Sequence, residues 1–232
     1  MPVVQTARTV LTSRWRRVPP ALRAVDRAPG MISLDEADLL LRLAKKDDPA
    51  GCIVEVGSYR GRSTVALAQG AGSSPVFAIE PHEPFKGVFG GVFGPADRAA
   101  FFRTMLSSRA YERVRLVNLS SEVITPGWQM PVRLLWIDGD HSYEGVRRDW
   151  DAWNPHLVAG AAVAFDDSTD KSAGPHRLIG ELIDAGELAV VERVGKVTAL
   201  RAASSLARKH SRARSRMGSG RPAAATRPSS SR

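Results

Sequence analysis

The 232-residue chain has a single cysteine, Cys52, and no long apolar run. One cysteine excludes an internal disulfide and a cysteine-based zinc site. No stretch approaches the roughly 18 consecutive apolar residues that a transmembrane helix needs, so we expect no membrane span. The first twenty residues contain arginines but lack the apolar segment and small-residue cleavage site of a secretory signal. Together these absences predict a reducing, cytoplasmic setting.

Acidic residues are absent from residue 201 onward, where nine basic residues give this segment a charge of +9. Residues 1–30 carry +5, which leaves residues 31–200 at −5 within the total of +9. We predict a folded domain over 31–200, a basic and partly disordered extension over 1–30, and a disordered basic tail over 201–232. Both ends hold too few large apolar side chains to form a core. A tail that contacts nucleic acid or an anionic surface is the alternative to a simple solvated tail, which we favour.

Short apolar runs alternate with helical stretches along the predicted domain. Runs typical of buried parallel strands lie at 52–56, 75–80, 113–118, 133–138 and 161–167. Helical spacing follows a capping box at Ser33 and Glu36, and it recurs near 62–69, 96–107, 143–153 and 174–186. Two last strands, LAVVERV and KVTALRA, meet at Gly195-Lys196 as a hairpin. The pattern predicts an α/β fold, with a doubly wound, mostly parallel seven-stranded sheet that ends in an antiparallel hairpin.

The first predicted strand leads into EVGSYRGRST, in which Gly57 and Gly61 flank a tight turn where backbone can approach a ligand. The loop holds too few glycines to cradle a pyrophosphate well, and Glu55 before it is less expected in a dinucleotide site. Glu80 ends the second strand, where a carboxylate can accept hydrogen bonds from both hydroxyls of a ribose. The loop and Glu80 together indicate a nucleoside ligand.

Acidic residues follow two further strands. LLWIDGDH places Asp138, Asp140 and His141 after the fourth strand, and AFDDST places Asp166 and Asp167 after the fifth. If these strands are neighbours, three carboxylates meet at one edge of the sheet, where they would repel one another without a cation. An all-oxygen ligand set suits Mg²⁺, so the sequence predicts a divalent-metal site. Two unrelated strand-end turns are the alternative.

Taken together, EVGSYRGRST, Glu80, AFDD and the block LLWIDGDHSYEGVRRDWDAWNPHLVAG resemble class I S-adenosylmethionine-dependent methyltransferases. The resemblance covers roughly residues 31–200 and is greatest to metal-dependent O-methyltransferases of the macrocin type, with catechol O-methyltransferase more distant. Members of this group usually have Pro-Gly-Gly before the fifth strand and His-Asp at its end. This chain has Ala159-Gly160-Ala161 and Asp166-Asp167 there, so it keeps paired polar residues at the strand end.

The resemblance implies S-adenosylmethionine as cofactor and Mg²⁺ held by Asp138, Asp166 and Asp167. The residues assigned to the cofactor are Gly57, Tyr59, Gly61 and Ser63 around its methionine part, Glu80 at its ribose, Ser120 and Ser121 by its adenine, and Glu55 and Asp138 at the strand ends beside them.

The predicted reaction is methylation of a hydroxyl on a small molecule such as a sugar, a polyketide or a phenol. His141 is the favoured base because histidine titrates near neutral pH, and Asp140 is the alternative. The Gly-, Pro- and Phe-rich segment 82–102 is expected to form a mobile lid over the acceptor. A glycine-poor loop disfavours an NAD-dependent oxidoreductase, and an acidic core disfavours an RNA-binding protein or RNA methyltransferase. Association of identical chains stays open.

Overall fold

A seven-stranded sheet forms the centre of the computed structural model, which describes residues 17–46, 50–204 and 206. Across the sheet the strands lie in the order β5 (Val114–Val117), β2 (Val76–Ile79), β1 (Cys52–Val56), β6 (Val132–Ile137), β7 (Leu157–Phe165), β9 (Val197–Ala202) and β8 (Leu188–Val194). The first five are parallel, whereas β9 runs antiparallel to both of its neighbours. The prediction of a doubly wound, mostly parallel α/β sheet with an antiparallel hairpin is confirmed.

Helices cover both faces of this sheet. They are α1 (Arg23–Arg27), α2 (Leu34–Ala44), α3 (Arg62–Gly70), α4 (Pro95–Ser108), α5 (Ser121–Ile124), α6 (Tyr143–Trp153) and α7 (Gly174–Asp184). Successive side chains of β1 enter different cores: Ile53 shares one with Leu39 and Val65, whereas Val54 shares the other with Trp150. Because neighbouring residues of a strand point to opposite faces, each face of the sheet carries its own hydrophobic core.

The register of the central strands brings their carboxyl ends to one edge of the sheet. Ile137 at the end of β6 lies beside Val56 at the end of β1 and beside Phe165 at the end of β7. The residues that follow two of these ends, Asp138 and Asp166, therefore emerge side by side. This is the edge at which open α/β sheets bind ligands.

Strand β7 is longer than its apolar run suggests, since it begins at Leu157 rather than at 161. Its pairing with β6 shifts register between Val132 and Leu134, and Gly160 has φ +72° there. Ala159 is exposed, so no continuous apolar run marks the start of the strand. An irregular pairing of this kind breaks the pattern by which strands are recognised in a sequence.

Part of the predicted N-terminal extension packs on the domain. Leu22 and Val25 are buried, and Arg62 donates a hydrogen bond to the carbonyl oxygen of Ala28 over 2.9 Å. Residues 1–16 and nearly all of the predicted basic tail lie outside the described residues, so their disorder stays a prediction. Within the described ranges, no helix combines the length and the apolar content that a membrane crossing requires.

Candidate active site

A cavity of about 580 Å³ opens at the carboxyl edge of the sheet. Its walls come from the segments that follow β1, β2, β5, β6 and β7, from the short antiparallel pair β3 (Phe85–Lys86) and β4 (Val92–Phe93), and from Lys196 between β8 and β9. The volume is typical of a small-molecule site. Because β2 and β6 lie on opposite sides of β1, the cavity occupies the switch point of the sheet, where doubly wound folds bind their ligands.

The loop after β1 approaches β6 closely because Gly57 has no side chain. Its φ is +83°, and a Cβ at this position would lie 2.3 Å from the backbone oxygen of Asp138. Gly57, Tyr59 and Ser63 line the cavity. Gly61 has φ +93° at the start of α3 and is not among the lining residues. Three of the four loop residues assigned from the sequence therefore face the ligand space, and Gly61 forms the turn.

Glu55 lies beside this loop and does not line the cavity. Its side chain is fully buried, and its two oxygens accept hydrogen bonds from Oγ of Ser63 and Oγ1 of Thr64, each over 2.5 Å. Burial raises the pKa of Glu55 to about 7, against the effect of the two hydrogen bonds. Glu55 thus positions Ser63 and has no direct access to a ligand.

Glu80 lines the cavity and holds the glycine loop through its carboxylate. Oε2 accepts a hydrogen bond from the backbone N–H of Tyr59 over 3.1 Å, and Oε1 accepts one from that of His82 over 2.9 Å. Nε2 of His82 lies 3.0 Å from the carbonyl oxygen of Tyr59. Nδ2 of Asn118 donates to the carbonyl oxygens of Glu80 and Pro81, over 2.6 and 2.7 Å. No sequence motif marks His82 or Asn118, because their role arises from where β2 and β5 end.

Asp138, Asp166 and Asp167 lie together at the cavity, and two cationic side chains face them. Nζ of Lys196 lies 2.5 Å from Oδ2 of Asp166 and 3.3 Å from Oδ1 of Asp167. Nδ1 of His141 lies 2.6 Å from Oδ2 of Asp167, and its Nε2 lies 3.4 Å from Oδ1 of Asp138. The chain itself therefore supplies part of the positive charge that the sequence pattern assigns to a metal.

The cluster shifts the pKa of each of its acidic groups and of His141. Burial raises the pKa of Asp138 and raises that of Asp166 to about 8, where repulsion from Asp138 adds to the effect. Burial alone would lower the pKa of His141, but the carboxylates of Asp138 and Asp167 raise it to about 10. The hydrogen bond with His141 lowers the pKa of Asp167. In this arrangement His141 is a cation at neutral pH and Asp167 is its ionised partner.

Donor atoms of Asp138, His141 and Asp166 lie within 4.8 Å of one another, which is close enough to share one divalent ion. Oδ1 of Asp166 and Nε2 of His141 are buried and make no hydrogen bond of good geometry, although Nε2 lies 3.4 Å from Oδ1 of Asp138. Carboxylate oxygens and imidazole nitrogens are ordinary ligands of divalent metals. The side chains present therefore fit a metal, with His141 in the position that the sequence pattern gives to Asp167.

Asp140, Ser120 and Ser121 also line the cavity. Oδ1 of Asp140 accepts a hydrogen bond from the backbone N–H of Ser142 over 2.9 Å, which tightens the turn before α6. Asp149 of α6 lines the same cavity. Sequence reasoning missed Asp149, because an acid within a helical pattern usually faces solvent.

Residues 82–94 cover one side of the cavity as a short hairpin. The ring of Phe93 lies edge-on to that of Tyr59 with centroids 5.2 Å apart, and Phe89 lies 6.0 Å from His141. Phe89 is nevertheless 56% exposed. The rest of the segment predicted as a lid lies in α4, so the hairpin alone is placed to cover a ligand, and its mobility stays a prediction.

Residues 54–168 match a family model described as a methyltransferase domain. The order of the strands and the cavity at the switch point agree with this match. Residues 54–168 therefore form a methyltransferase domain, within a sheet whose strand order is that of the class I S-adenosylmethionine-dependent methyltransferase fold.

Solved structures of similar fold include O-methyltransferases, at low sequence identity. The cofactor-bound protein Rv0187 from MTB is 21% identical over 79% of this chain and 88% of its own, with a TM-score of 0.60. The O-methyltransferase TomG from Streptomyces achromogenes, involved in tomaymycin synthesis and solved with S-adenosylmethionine, is 16% identical over 79% and 86%, with a TM-score of 0.58. The O-methyltransferase from Bacillus cereus in complex with S-adenosylhomocysteine is 19% identical over 77% and 86%, with a TM-score of 0.56.

Proposed function

We propose that this chain transfers a methyl group from S-adenosylmethionine to a hydroxyl of a small molecule, assisted by a divalent metal. One observation carries the proposal: a single cavity joins Glu80 and the glycine loop to the cluster of Asp138, His141 and Asp166. In this proposal a nucleoside site and a polar site for a hydroxyl share one cavity. Holding two reactants in one orientation is the main contribution that a protein makes to such a transfer.

The cofactor, when bound, supplies a methyl group already activated as a sulfonium, so the chain has to bind and orient it. We assign Glu80 to the ribose. Its carboxylate accepts two backbone hydrogen bonds, and a carboxylate has further lone pairs for two hydroxyls. We assign Gly57, Tyr59 and Ser63 to the methionine part, because these residues line the cavity next to Glu80.

The acceptor is assigned to the space between the acidic cluster and the hairpin 82–94. Phe89 beside His141 offers an apolar surface to the body of a small molecule. Asp167 holds Nδ1 of His141, so Nε2 serves as the base when no metal is bound, as in carboxylate–histidine pairs of other enzymes, and as a ligand when one is. His141 has to release its own proton before it can act as a base, so Asp140 remains the alternative base. A divalent metal held by Asp138, His141 and Asp166 would supply positive charge beside the acceptor oxygen.

Calorimetry with S-adenosylhomocysteine tests the cofactor assignment. We expect the wild-type chain to bind this nucleoside and to give no heat with NAD. Glu80→Gln should weaken binding roughly 10- to 100-fold, because a charged acceptor for the ribose is lost. Glu83→Gln is the matched control, since Glu83 lines the same cavity but is exposed. Equal affinities of the two variants would remove Glu80 from the site.

Titration with Mg²⁺ or Mn²⁺ tests the metal assignment without needing an acceptor. Asp166→Asn should weaken metal binding at least about tenfold, since it replaces a buried carboxylate ligand with a neutral amide. Asp170→Asn is the control, because Asp170 is exposed and bonds only within its own turn to Ser172. Equal metal affinities of wild type and Asp166→Asn, or no binding by either, would contradict a metal at this cluster.

A further inference from the structure

Asp149 lies on the cavity wall where α6 meets the segments that follow β5 and β6. Its Oδ2 would lie 3.3 Å from a Cβ placed on Gly139, and the nearby hydroxyl of Ser121 acts on its carboxyl group as a hydrogen-bond donor that lowers the pKa. All three residues line the cavity. Asp149 is therefore a carboxylate fixed against the wall and open to a ligand on its other side.

A buried tryptophan sets the direction of these hydrogen bonds. Nε1 of Trp153 donates to Oγ of Ser121 over 3.0 Å, and both side chains are buried. An indole nitrogen can only donate, so Ser121 accepts this bond and keeps its own proton to donate to Asp149. The chain from Trp153 through Ser121 thus ends on a carboxylate that lines the cavity and keeps lone pairs that can accept from a ligand.

We propose that Asp149 accepts a hydrogen bond from the 6-amino group of the cofactor's adenine and thereby selects adenine over other purines. This inference rests on the proposed function, and within that cavity we assign the adenine to the wall formed by Ser120 and Ser121. The 6-amino group is a donor and matches a carboxylate. A 6-oxo purine presents an acceptor at the same position, and two acceptors that face each other repel.

The proposed role requires Asp149 to be ionised at the pH of the binding experiment described below. Burial raises its pKa to about 6, while the hydrogen bond from Ser121 and the charge of Arg148 act in the opposite direction. At pH 8 the side chain is a carboxylate and can only accept hydrogen bonds.

Binding of three homocysteine nucleosides to the full-length chain tests the inference at pH 8. They carry an amino group, a hydrogen or an oxo group at carbon 6 of the purine, and the oxo compound also carries a proton on N1. We expect affinity to fall in that order, with roughly 10- to 100-fold between S-adenosylhomocysteine and S-inosylhomocysteine. This series needs no variant, so it holds even if a substitution impairs folding.

Asp149→Asn should then reduce or invert the preference. The amide oxygen would face the donating hydroxyl of Ser121, and the amide N–H would face the cavity, where it matches an oxo group. Asp151→Asn is the matched control on the same helix, because Asp151 is exposed and pairs with Arg147 outside the cavity. It should keep the wild-type preference.

Equal affinities of the three nucleosides for the wild-type chain would overturn the inference, and so would an unchanged preference in Asp149→Asn. Either result leaves the proposed function standing, because S-adenosylhomocysteine would still bind. Failure of all three nucleosides to bind wild type would instead overturn the cofactor assignment, and the role of Asp149 with it.

Discussion

The buried carboxyl group of Glu55 couples the stability of this protein to pH. Burial raises its pKa from 4.5 to about 7 in the folded chain. Between these pH values the folded chain keeps a proton that the unfolded chain has released, so this group destabilises the fold progressively as pH rises. Above pH 7 the destabilisation is complete and amounts to about 3 kcal/mol.

Glu55→Gln should remove this pH dependence. Glutamine has the same shape and can still bond to the hydroxyls of Ser63 and Thr64. We expect the free energy of unfolding of the variant, relative to wild type, to increase by up to about 3 kcal/mol between pH 5 and pH 8. Urea unfolding at four pH values measures the difference, with Glu112→Gln as a surface control. Parallel pH profiles for Glu55→Gln and wild type would show that the buried group does not titrate in this range.

Some residues of the candidate site can be predicted from the sequence, and others cannot. Glu80 and the three acids at strand ends can be found from the sequence because parallel strands deliver their carboxyl ends to one edge. Lys196 could not be found in this way. It reads as an ordinary hairpin residue until β9 is known to pair with β7, which brings it to Asp166. Asp149 likewise becomes a cavity residue only when α6 packs beside the end of β6.

At the scale of secondary structure elements, the loop between β1 and α3 requires a glycine at position 57 for two reasons: a positive φ and a close approach to the backbone of Asp138. Gly57 and Gly90 have nearly the same positive φ, +83° and +84°. A Cβ on Gly57 would meet the backbone of Asp138 at 2.3 Å, whereas a Cβ on Gly90 would meet nothing within 4 Å. The pair therefore separates backbone strain from steric clash.

Gly90→Ala should destabilise the fold by about 1 kcal/mol, because only the left-handed backbone conformation penalises it. Gly57→Ala should destabilise it by at least about 2 kcal/mol more, because backbone atoms cannot move aside easily. It should also weaken binding of S-adenosylhomocysteine. Thermal and urea unfolding of both variants give the comparison. Equal losses of stability would mean that the close approach to Asp138 has no energetic effect.

The elements themselves were largely predictable, since β1 (52–56) and β6 (132–137) are buried along their whole length. Such strands have few alternatives once they are flanked by amphipathic helices. The start of β7 was not predictable, because residues 158–160 are partly buried or exposed and its pairing with β6 is irregular there. The sequence predicts a lid over 82–102 but not the hairpin within it, since two-residue strands leave no pattern in a sequence.

At the scale of the whole molecule, the basic segment begins before the folded domain ends. The predicted basic tail begins at 201, yet Arg201 pairs with Ala162 in the sheet, Ala202 pairs with Leu188, and Leu206 is buried. The acid-free segment therefore includes residues that hold the antiparallel edge of the domain together.

Two truncated chains test this division. A chain that ends at residue 206 loses eight of its basic residues but keeps all of β9, so its melting temperature and cofactor affinity should equal those of the full chain. Its retention on heparin should fall, because its net charge becomes +1. A chain that ends at 200 should be less stable. If the two truncations behave alike, the residues between 201 and 206 do not contribute to the fold.

The acidic cluster of the candidate active site is complete only after the ribosome has synthesised the turn between β8 and β9. The backbone N–H of Lys196 donates to Glu36 at the start of α2, and its carbonyl oxygen accepts hydrogen bonds from Ser168. Asp138 and Asp166 leave the ribosome before Lys196 does. The nascent chain therefore has these carboxylates at a stage when the ammonium group of Lys196 is still missing. Fragments left by interrupted translation before this turn lack that charge, and only a nearly finished domain can assemble the complete cluster.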